Sequence, residues 1–483
     1  MSIPDSSSTI SGSSSSMPRQ RLVWHELFVQ WAPVLLSLFV FALFARTLSY
    51  GLYLDDNHFV RPWTLGEVLG AFAGPFDPLG IEPAYFRPLV GVTFSIEWHL
   101  WGYAPWGYHL VNILLHTLVA VLLYFLLRRM RISWWAAWFG AAFFTVIPAN
   151  AATAVYIAEL SDALVAIFVL CGLLSLDTYH RTGRVRWLVL LNVMFVGAVC
   201  SKEIGAAMPM LVALYWLHLC STDQASTKGN EPTMATGLSA IFKHWSSEVQ
   251  FVWQALVSRA NRRNWLLVVV PLFLLAIAYV AYRGMVLPTG MLGARYNQNI
   301  NPLHALLSAV LWTFKGVPYE VSDWALPTLI GVVGLALILR PLSSAWRVVR
   351  TGFLWVVAGC LPLSYLGQVE PRLLYVVQIG VGIVIAGLVT ILAEAIVLAR
   401  QPKPIWWRGA VGLALLSMVA LLGTTFVSTI KAQNEFQPGS PKVLQADLGI
   451  WKNLKTRSRY PEHNLKIVEQ HLRDANMIDA NTP

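Results

Sequence analysis

Residues 31–56 read WAPVLLSLFVFALFARTLSYGLYLDD: a largely apolar run from Trp31 to Leu54, with Arg46 its one charged residue, that stops at two adjacent aspartates. Such a run crosses about 30 Å of hydrocarbon as a helix. Asp55 and Asp56 therefore sit where the first helix leaves the membrane, and a carboxylate at that depth is a functional candidate by default. Outward from this stretch the pattern repeats, with further apolar runs of about 17 to 25 residues. Hydrophobic residues make up 56% of the chain and charged residues 12%. That balance excludes a soluble globule and sets the fold class as an all-α polytopic membrane protein.

The net charge of +10 would suggest nucleic acid in a soluble chain. Here the basic residues cluster in short segments between apolar runs, as cytoplasmic loops require, so no nucleic-acid partner is expected. Cys171, Cys200, Cys220 and Cys360 show no paired spacing for zinc or disulfides. A Ser-rich cytoplasmic tail over residues 1–30 precedes a signal anchor.

With the N-terminus inside, Arg128, Arg129 and Arg131, then Arg181, Arg184 and Arg186, then the polar loop 221–264, and finally Arg340, Arg347 and Arg350, all fall on the cytoplasmic face. This arrangement needs about eleven spans, with a short outer-side helix at Leu303–Phe314 and the C-terminus outside. In loop 221–264, Ile241, Trp245, Val249, Val252 and Leu256 recur at helical spacing, which predicts a helix lying on the inner surface. The domains are then the tail, a transmembrane unit over 31–430 with its first outer loop at 54–107, and an extracytoplasmic polar tail over 431–483. The polar tail carries one amphipathic helix near Leu465–Leu472.

The strong polar groups fall on the outer side: Asp55, Asp56 and Arg87 in the first loop, Glu159 and Asp162 in the second, Lys202 and Glu203 in the third, Glu370 and Arg372 later. A carrier places ionisable groups near the midplane. A ring of them at one interface suits an enzyme acting on a lipid head group. Transfer of a sugar from a lipid-linked phosphate needs cations for the leaving phosphate and one carboxylate to accept the proton of the attacking hydroxyl. One base means inversion at the anomeric carbon, unlike the paired acids of glycoside hydrolysis. His109, Asn112 and His116 share one face of the second helix, lining the cavity or packing helix to helix. Arg87 either holds a phosphate or pairs with Asp55 or Asp56. Lys202 and Glu203 either act on substrate or bridge each other. Arg46 snorkels or pairs internally. Asp55, Asp56, Glu159 and Asp162 could converge on a divalent metal, but no ligand spacing demands one and no cofactor is certain. A lipid or small-molecule transporter and a catalytically silent scaffold are the rival readings.

Asp55-Asp56, Tyr85-Phe86-Arg87-Pro88-Leu89, Leu100-Trp101-Gly102, Gly107-Tyr108-His109-Leu110-Val111-Asn112 to His116, Ser201-Lys202-Glu203 and Glu370 to Tyr375 together resemble the GT-C glycosyltransferases. The likeness is to the protein O-mannosyltransferase-like branch that includes the transmembrane and tetratricopeptide-repeat proteins, and it runs from about Val34 to Ile430. The resemblance implies a polyprenyl- or dolichyl-phosphate sugar donor, inverting transfer, and Asp55 or Asp56 as base. It also implies Lys202 and Arg372 as donor-phosphate contacts, with Tyr375 at the cavity. The acceptor is a protein, lipid or glycan, and the setting a bacterial inner membrane or the endoplasmic reticulum, with the site extracytoplasmic or lumenal. Two departures stand out. Pro371 separates Glu370 from Arg372, where the family commonly has the two adjacent, and residues beyond Ile430 carry no tetratricopeptide pattern.

Overall fold

Backbone groups in hydrocarbon must be satisfied within their own segment, so apolar runs of this length fold as helices. The computed structural model describes residues 19–77, 79, 85–228, 259–287, 345–365, 371–399, 405–452 and 460–478, and among these there is no strand. In chain order the helices are α1 (Arg19–Phe44), α2 (Asp56–Phe59), α3 (Leu65–Gly70), α4 (Pro88–Trp101), α5 (Pro105–Arg129), α6 (Trp134–Thr145), α7 (Pro148–Val155) and α8 (Leu160–Thr182). They continue with α9 (Arg186–Ser201), α10 (Met208–Lys228), α11 (Arg259–Val286), α12 (Trp346–Cys360), α13 (Tyr375–Ala399), α14 (Ile405–Asn434), α15 (Pro441–Lys452) and α16 (Glu462–Asp474). Proline opens α4, α5 and α7, where its missing N–H costs no helical bond. Gly183, at φ 65°, ends α8 in the left-handed conformation that favours glycine.

Seven described helices are long and apolar enough to span a membrane, or eight if α6 and α7 form one span bent by 70°. Of the expected spans the third is this bent pair, and the fifth, α9, has only 16 residues. The short outer helix at Leu303–Phe314, the eighth span from Trp324, Arg340, the inner-surface helix at 241–256 and Glu370 lie outside the described residues. The amphipathic helix expected near Leu465–Leu472 is α16.

The core is built where α5, α6, α8 and α13 meet, around Tyr124, Phe143, Phe144 and Tyr375. Small residues permit the closest approaches. A Cβ added at Gly140 would stand 2.6 Å from the carbonyl oxygen of Gly382, so α6 and α13 touch through glycine backbone. A second, smaller core lies under the first loop, where Phe59, Trp63, Phe76 and Phe94 stack between α2, α3 and α4. That loop is thus a folded cap on one end of the bundle. The C-terminal helices pack on the same cap: the Asn464 amide donates to the carbonyls of Asn57 and Val60 at 2.8 and 2.9 Å. The loop bearing Asp55 and the segment after α14 therefore lie at the same end of the bundle.

Candidate active site at the capped end of the bundle

The backbone turns at Leu54, whose φ of 44° places a non-glycine residue in the left-handed region. Such a conformation persists only where surrounding contacts enforce it, and it tends to mark functional turns. Immediately after it the two aspartates part company. Asp56 is fully buried, with its oxygens accepting from the backbone N–H groups of Ala158 at 2.7 Å and Tyr53 at 3.0 Å. Asp56 thus ties the first loop to the turn between α7 and α8. Burial pushes its carboxyl well above the usual range, against the opposing pull of those two N–H donors. Asp55 is only partly buried, and its backbone N–H donates to the Tyr156 hydroxyl at 3.1 Å.

Three residues beyond Tyr156, Glu159 and then Asp162 in the first turn of α8 face Lys202, which leads from α9 into the next turn. The Lys202 ammonium donates to Glu159 at 3.4 Å and more closely to Asp162, and all three are buried. Lys202 and Glu203 do not bridge each other. Glu203 receives the Arg87 guanidinium at 2.9 Å from Nη2 and 3.2 Å from Nε. Arg87 in turn lies 4.0 Å from the Tyr85 ring centroid. Of the two alternatives left open for Arg87, the pairing with Asp55 or Asp56 gives way to this one, because the α9 turn brings Glu203 to it. Arg46 pairs internally, donating to the side chains of Asn434 at 2.9 Å and Gln437 at 2.6 Å.

Behind this belt the helix face expected from His109, Asn112 and His116 is wholly buried. The Asn112 amide donates to the Tyr156 carbonyl at 2.9 Å, His109 meets the Gly51 carbonyl at 3.2 Å, and His116 bonds the Tyr375 hydroxyl at 2.6 Å. The first two of these bonds hold the backbone at Tyr156 and just before Asp55, and the third joins α5 to α13. The structure describes only the backbone of Arg372, in the 3-10 turn Pro371–Leu374 that leads into α13. Among the described residues no group of His, Cys, Asp and Glu is placed to hold a metal ion. Of the four acids that could have converged, Asp56 accepts from backbone donors, while Lys202 binds Glu159 and Asp162.

Two residues at this end were not singled out in the sequence. Arg283, in the last turn of α11, lies within electrostatic reach of Glu203. Glu97, in α4, is 1% exposed, neither of its oxygens has a hydrogen-bond partner among the described residues, and burial beside Asp56 pushes its carboxyl well above the usual range. The available signal was a lone acid in an otherwise apolar segment, Phe94-Ser95-Ile96-Glu97-Trp98.

Comparison with known proteins bears on this geometry. Residues 93–256 match the family described as dolichyl-phosphate-mannose-protein mannosyltransferase. The protein O-mannosyl-transferase Tmtc2 of Drosophila melanogaster is 26% identical over 215 residues, which cover 40% of this chain and 22% of the fly protein. Human protein O-mannosyl-transferase TMTC4 is 26% identical over 216 residues, 38% of this chain and 29% of its own. The chain therefore matches less than a third of the length of these relatives. Among solved structures, the Archaeoglobus fulgidus oligosaccharyltransferase superposes with a TM-score of 0.48 at 13% identity, covering 92% of this chain and 59% of that one. ArnT of Cupriavidus metallidurans, bound to undecaprenyl phosphate, gives 0.42 at 17% identity, over 86% and 76%. Within residues 93–256 the chain is thus similar to the protein mannosyltransferases, the family its motifs resemble.

Proposed function

We propose that the protein is an integral-membrane glycosyltransferase that moves a sugar, with inversion, from a polyprenyl- or dolichyl-phosphate donor to an acceptor hydroxyl on the extracytoplasmic side. The observation that carries this reading is a continuous polar belt at one end of the bundle. It links Asp55 and Asp56 through residues 156–159 to Lys202, Glu203 and Arg87, four separate parts of the chain. The sequence similarity to protein O-mannosyl-transferases supports the same chemistry, with a protein hydroxyl as the favoured acceptor class.

The geometry divides the roles. A general base needs an oxygen that can reach the attacking hydroxyl. Asp56 is fully buried with both oxygens accepting from backbone N–H groups, whereas Asp55 is part-exposed at the surface with its side chain hydrogen-bonded to Tyr156, so the solvent-reached Asp55 is assigned as the base and Asp56 as the residue that fixes the turn. Arg87 offers a planar guanidinium suited to the leaving phosphate. Lys202 is 4% exposed and clasped by two acids, so it supplies positive potential from behind the site rather than a mobile contact. Arg372 remains the second donor-phosphate contact implied by the family resemblance.

The test is sugar transfer from a lipid-phosphate donor by Asp55→Asn and Asp56→Asn variants in detergent or nanodiscs. Loss of a general base predicts a fall of about 10²- to 10⁴-fold for Asp55→Asn with unchanged thermal stability. Full activity in Asp55→Asn ends the assignment of the base, and full activity in both variants ends the transferase reading.

A further inference from the structure

The segment that follows α14, expected from the sequence to begin a polar tail, runs back to the turn that carries Asp55. Arg46, at the exit of the first helix, donates to the side chains of Asn434 and Gln437, and the Gln433 amide donates to the Leu43 carbonyl at 3.3 Å. These bonds fasten residues 433–437 beside the first loop. Between them Phe436, buried, meets two tyrosines. Its ring centroid lies 5.1 Å from that of Tyr53, edge to face at 83°, and 6.3 Å from that of Tyr156, stacked at 26°. Tyr53 and Tyr156 meet each other edge to face at 5.1 Å and 75°. The three rings therefore form a triangle drawn from the first loop, the turn between α7 and α8, and the segment after α14. Lys442 covers its outer side, with the ammonium 4.1 Å from the Phe436 centroid and 5.9 Å from that of Tyr53, while bonding Glu435 at 3.0 Å.

Each tyrosine of the triangle holds one of the two aspartates. The Tyr53 backbone N–H donates to Asp56 at 3.0 Å. The Tyr156 hydroxyl accepts from the Asp55 N–H at 3.1 Å and is hydrogen-bonded to the Asp55 side chain as well. An ionised carboxylate can only accept, so in that second bond the Tyr156 O–H is the donor. Packing alone does not ask for this oxygen, since a phenylalanine would fill the same corner of the triangle; a buried tyrosine hydroxyl is there for the partner it reaches. The charged and titratable groups around it are Asp55 and Asp56 from the first loop, Glu159 with its partner Lys202, His109 of α5 at the Gly51 carbonyl, and the pair Lys442 and Glu435 across Phe436.

We propose that Tyr156 is a positioning residue for Asp55, its hydroxyl aiming the carboxylate and stabilising its charged form, and that Phe436 holds the Tyr156 ring in place, so that the segment after α14 completes the active site. The inference rests on the reading of Asp55 as the base. A donor to the charged form lowers the pH at which a carboxylate takes up a proton. Tyr156 thus keeps Asp55 ionised and pointed at the acceptor hydroxyl.

Sugar transfer from a lipid-phosphate donor is measured across pH for the full-length protein and its variants in nanodiscs, with thermal stability followed in parallel. Tyr156→Phe keeps the triangle and removes only the hydroxyl. The acid limb of its kcat/KM profile, which reports the base of the free enzyme, should move up by about one pH unit. At neutral pH kcat should fall about tenfold, from a misaimed base, with the donor KM unchanged. Phe436→Leu lets the Tyr156 ring tilt and should move the same limb in the same direction by a smaller step. A profile like that of the wild type in either folded variant overturns the proposal, because a purely packing role lowers thermal stability without moving the limb. If transfer is then still lost in Asp55→Asn, the assignment of the base stands without the positioning role. Full activity in Asp55→Asn overturns both, and the two failures differ in which variant behaves like the wild type.

Discussion

Helix α8 carries a fully buried aspartate near each end, and the two are neutralised in opposite ways. Asp162 sits in the first turn, where the helix dipole favours an anion, yet it shares the single ammonium of Lys202 with Glu159. Asp177 sits near the last turn, where the dipole is unfavourable, yet two arginines and the Tyr215 hydroxyl converge on it. Asp162 thus shares one ammonium with a second acid, whereas Asp177 receives two guanidiniums. An acid-rich rim suits proton acceptance by a neighbouring carboxylate such as Asp55.

The sharpest way to break this comparison is to remove the single cation. Lys202→Met leaves Glu159 and Asp162 buried without their partner, and stranding buried charge costs about 3–5 kcal/mol. Thermal or denaturant unfolding in detergent should show that loss, with part of it restored in the double variant Lys202→Met/Asp162→Asn, where one of the stranded charges is gone. If Lys202→Met unfolds like the wild type, the two acids are not held as an ionic cluster and the contrast between the ends disappears.

How far the sequence revealed these arrangements depended on whether the partners lay near in the chain. Helix positions were legible because apolar runs of bilayer length leave the backbone no alternative, and observed ends such as Pro105–Arg129 and Tyr375–Ala399 fall within a few residues of the expected ones. The residues of the polar belt were legible too, since ionisable groups beside long apolar runs are costly. Their pairings were not. Lys202 and Glu203 are adjacent in sequence, but extended backbone at Lys202 (φ −159°, ψ 150°) sends their side chains to different partners, Asp162 and Arg87. The different surroundings of Asp55 and Asp56 were equally hidden, because they depend on the N–H of Ala158, about a hundred residues away in sequence. The bend of 70° between α6 and α7 follows Thr145-Val146-Ile147-Pro148, where the residue before a proline is steered from helical geometry.

A smaller effect is expected at Asp56. Asparagine there is nearly isosteric, but its amide N–H₂ would face a backbone N–H where a carboxylate oxygen now accepts. One buried bond is lost and a donor stranded, a cost of about 1–3 kcal/mol. Asp56→Asn should therefore lower the unfolding midpoint while Asp55→Asn leaves it in place, and a reversed pattern would exchange the roles assigned to the two residues. At the opposite end, Arg181→Gln leaves Arg129 and Tyr215 on Asp177. Its cost should stay near 1 kcal/mol, the worth of a partly exposed pair after solvent screening. A loss as large as that of Lys202→Met would show that Asp177 is no better compensated than Asp162.

The mildest effect is one of pH, where the C-terminal helices dock on the cap. Asp447 of α15, fully buried, accepts from His471 of α16 at 3.1 Å, and a Cβ on Gly51 would stand 3.8 Å from the His471 ring. The bond to Asp447 raises the His471 pKa, and burial raises that of Asp447 despite the same bond. Each group is thus more readily protonated in the docked state than when free. For a histidine of this kind the stabilisation is complete below its ordinary value of 6.5 and is lost as pH rises through the higher folded value. The raised Asp447 acts in the same sense at lower pH. Hydrogen exchange in α15 and α16 should accordingly quicken as pH rises above 6.5, beyond its intrinsic base catalysis. The same rise should leave the relative protection of α5 and α8 unchanged. In His471→Gln the extra pH dependence should vanish; if it persists, the docking of the tail is governed by other contacts, foremost the uncharged bonds from Asn464 to the Asn57 and Val60 carbonyls.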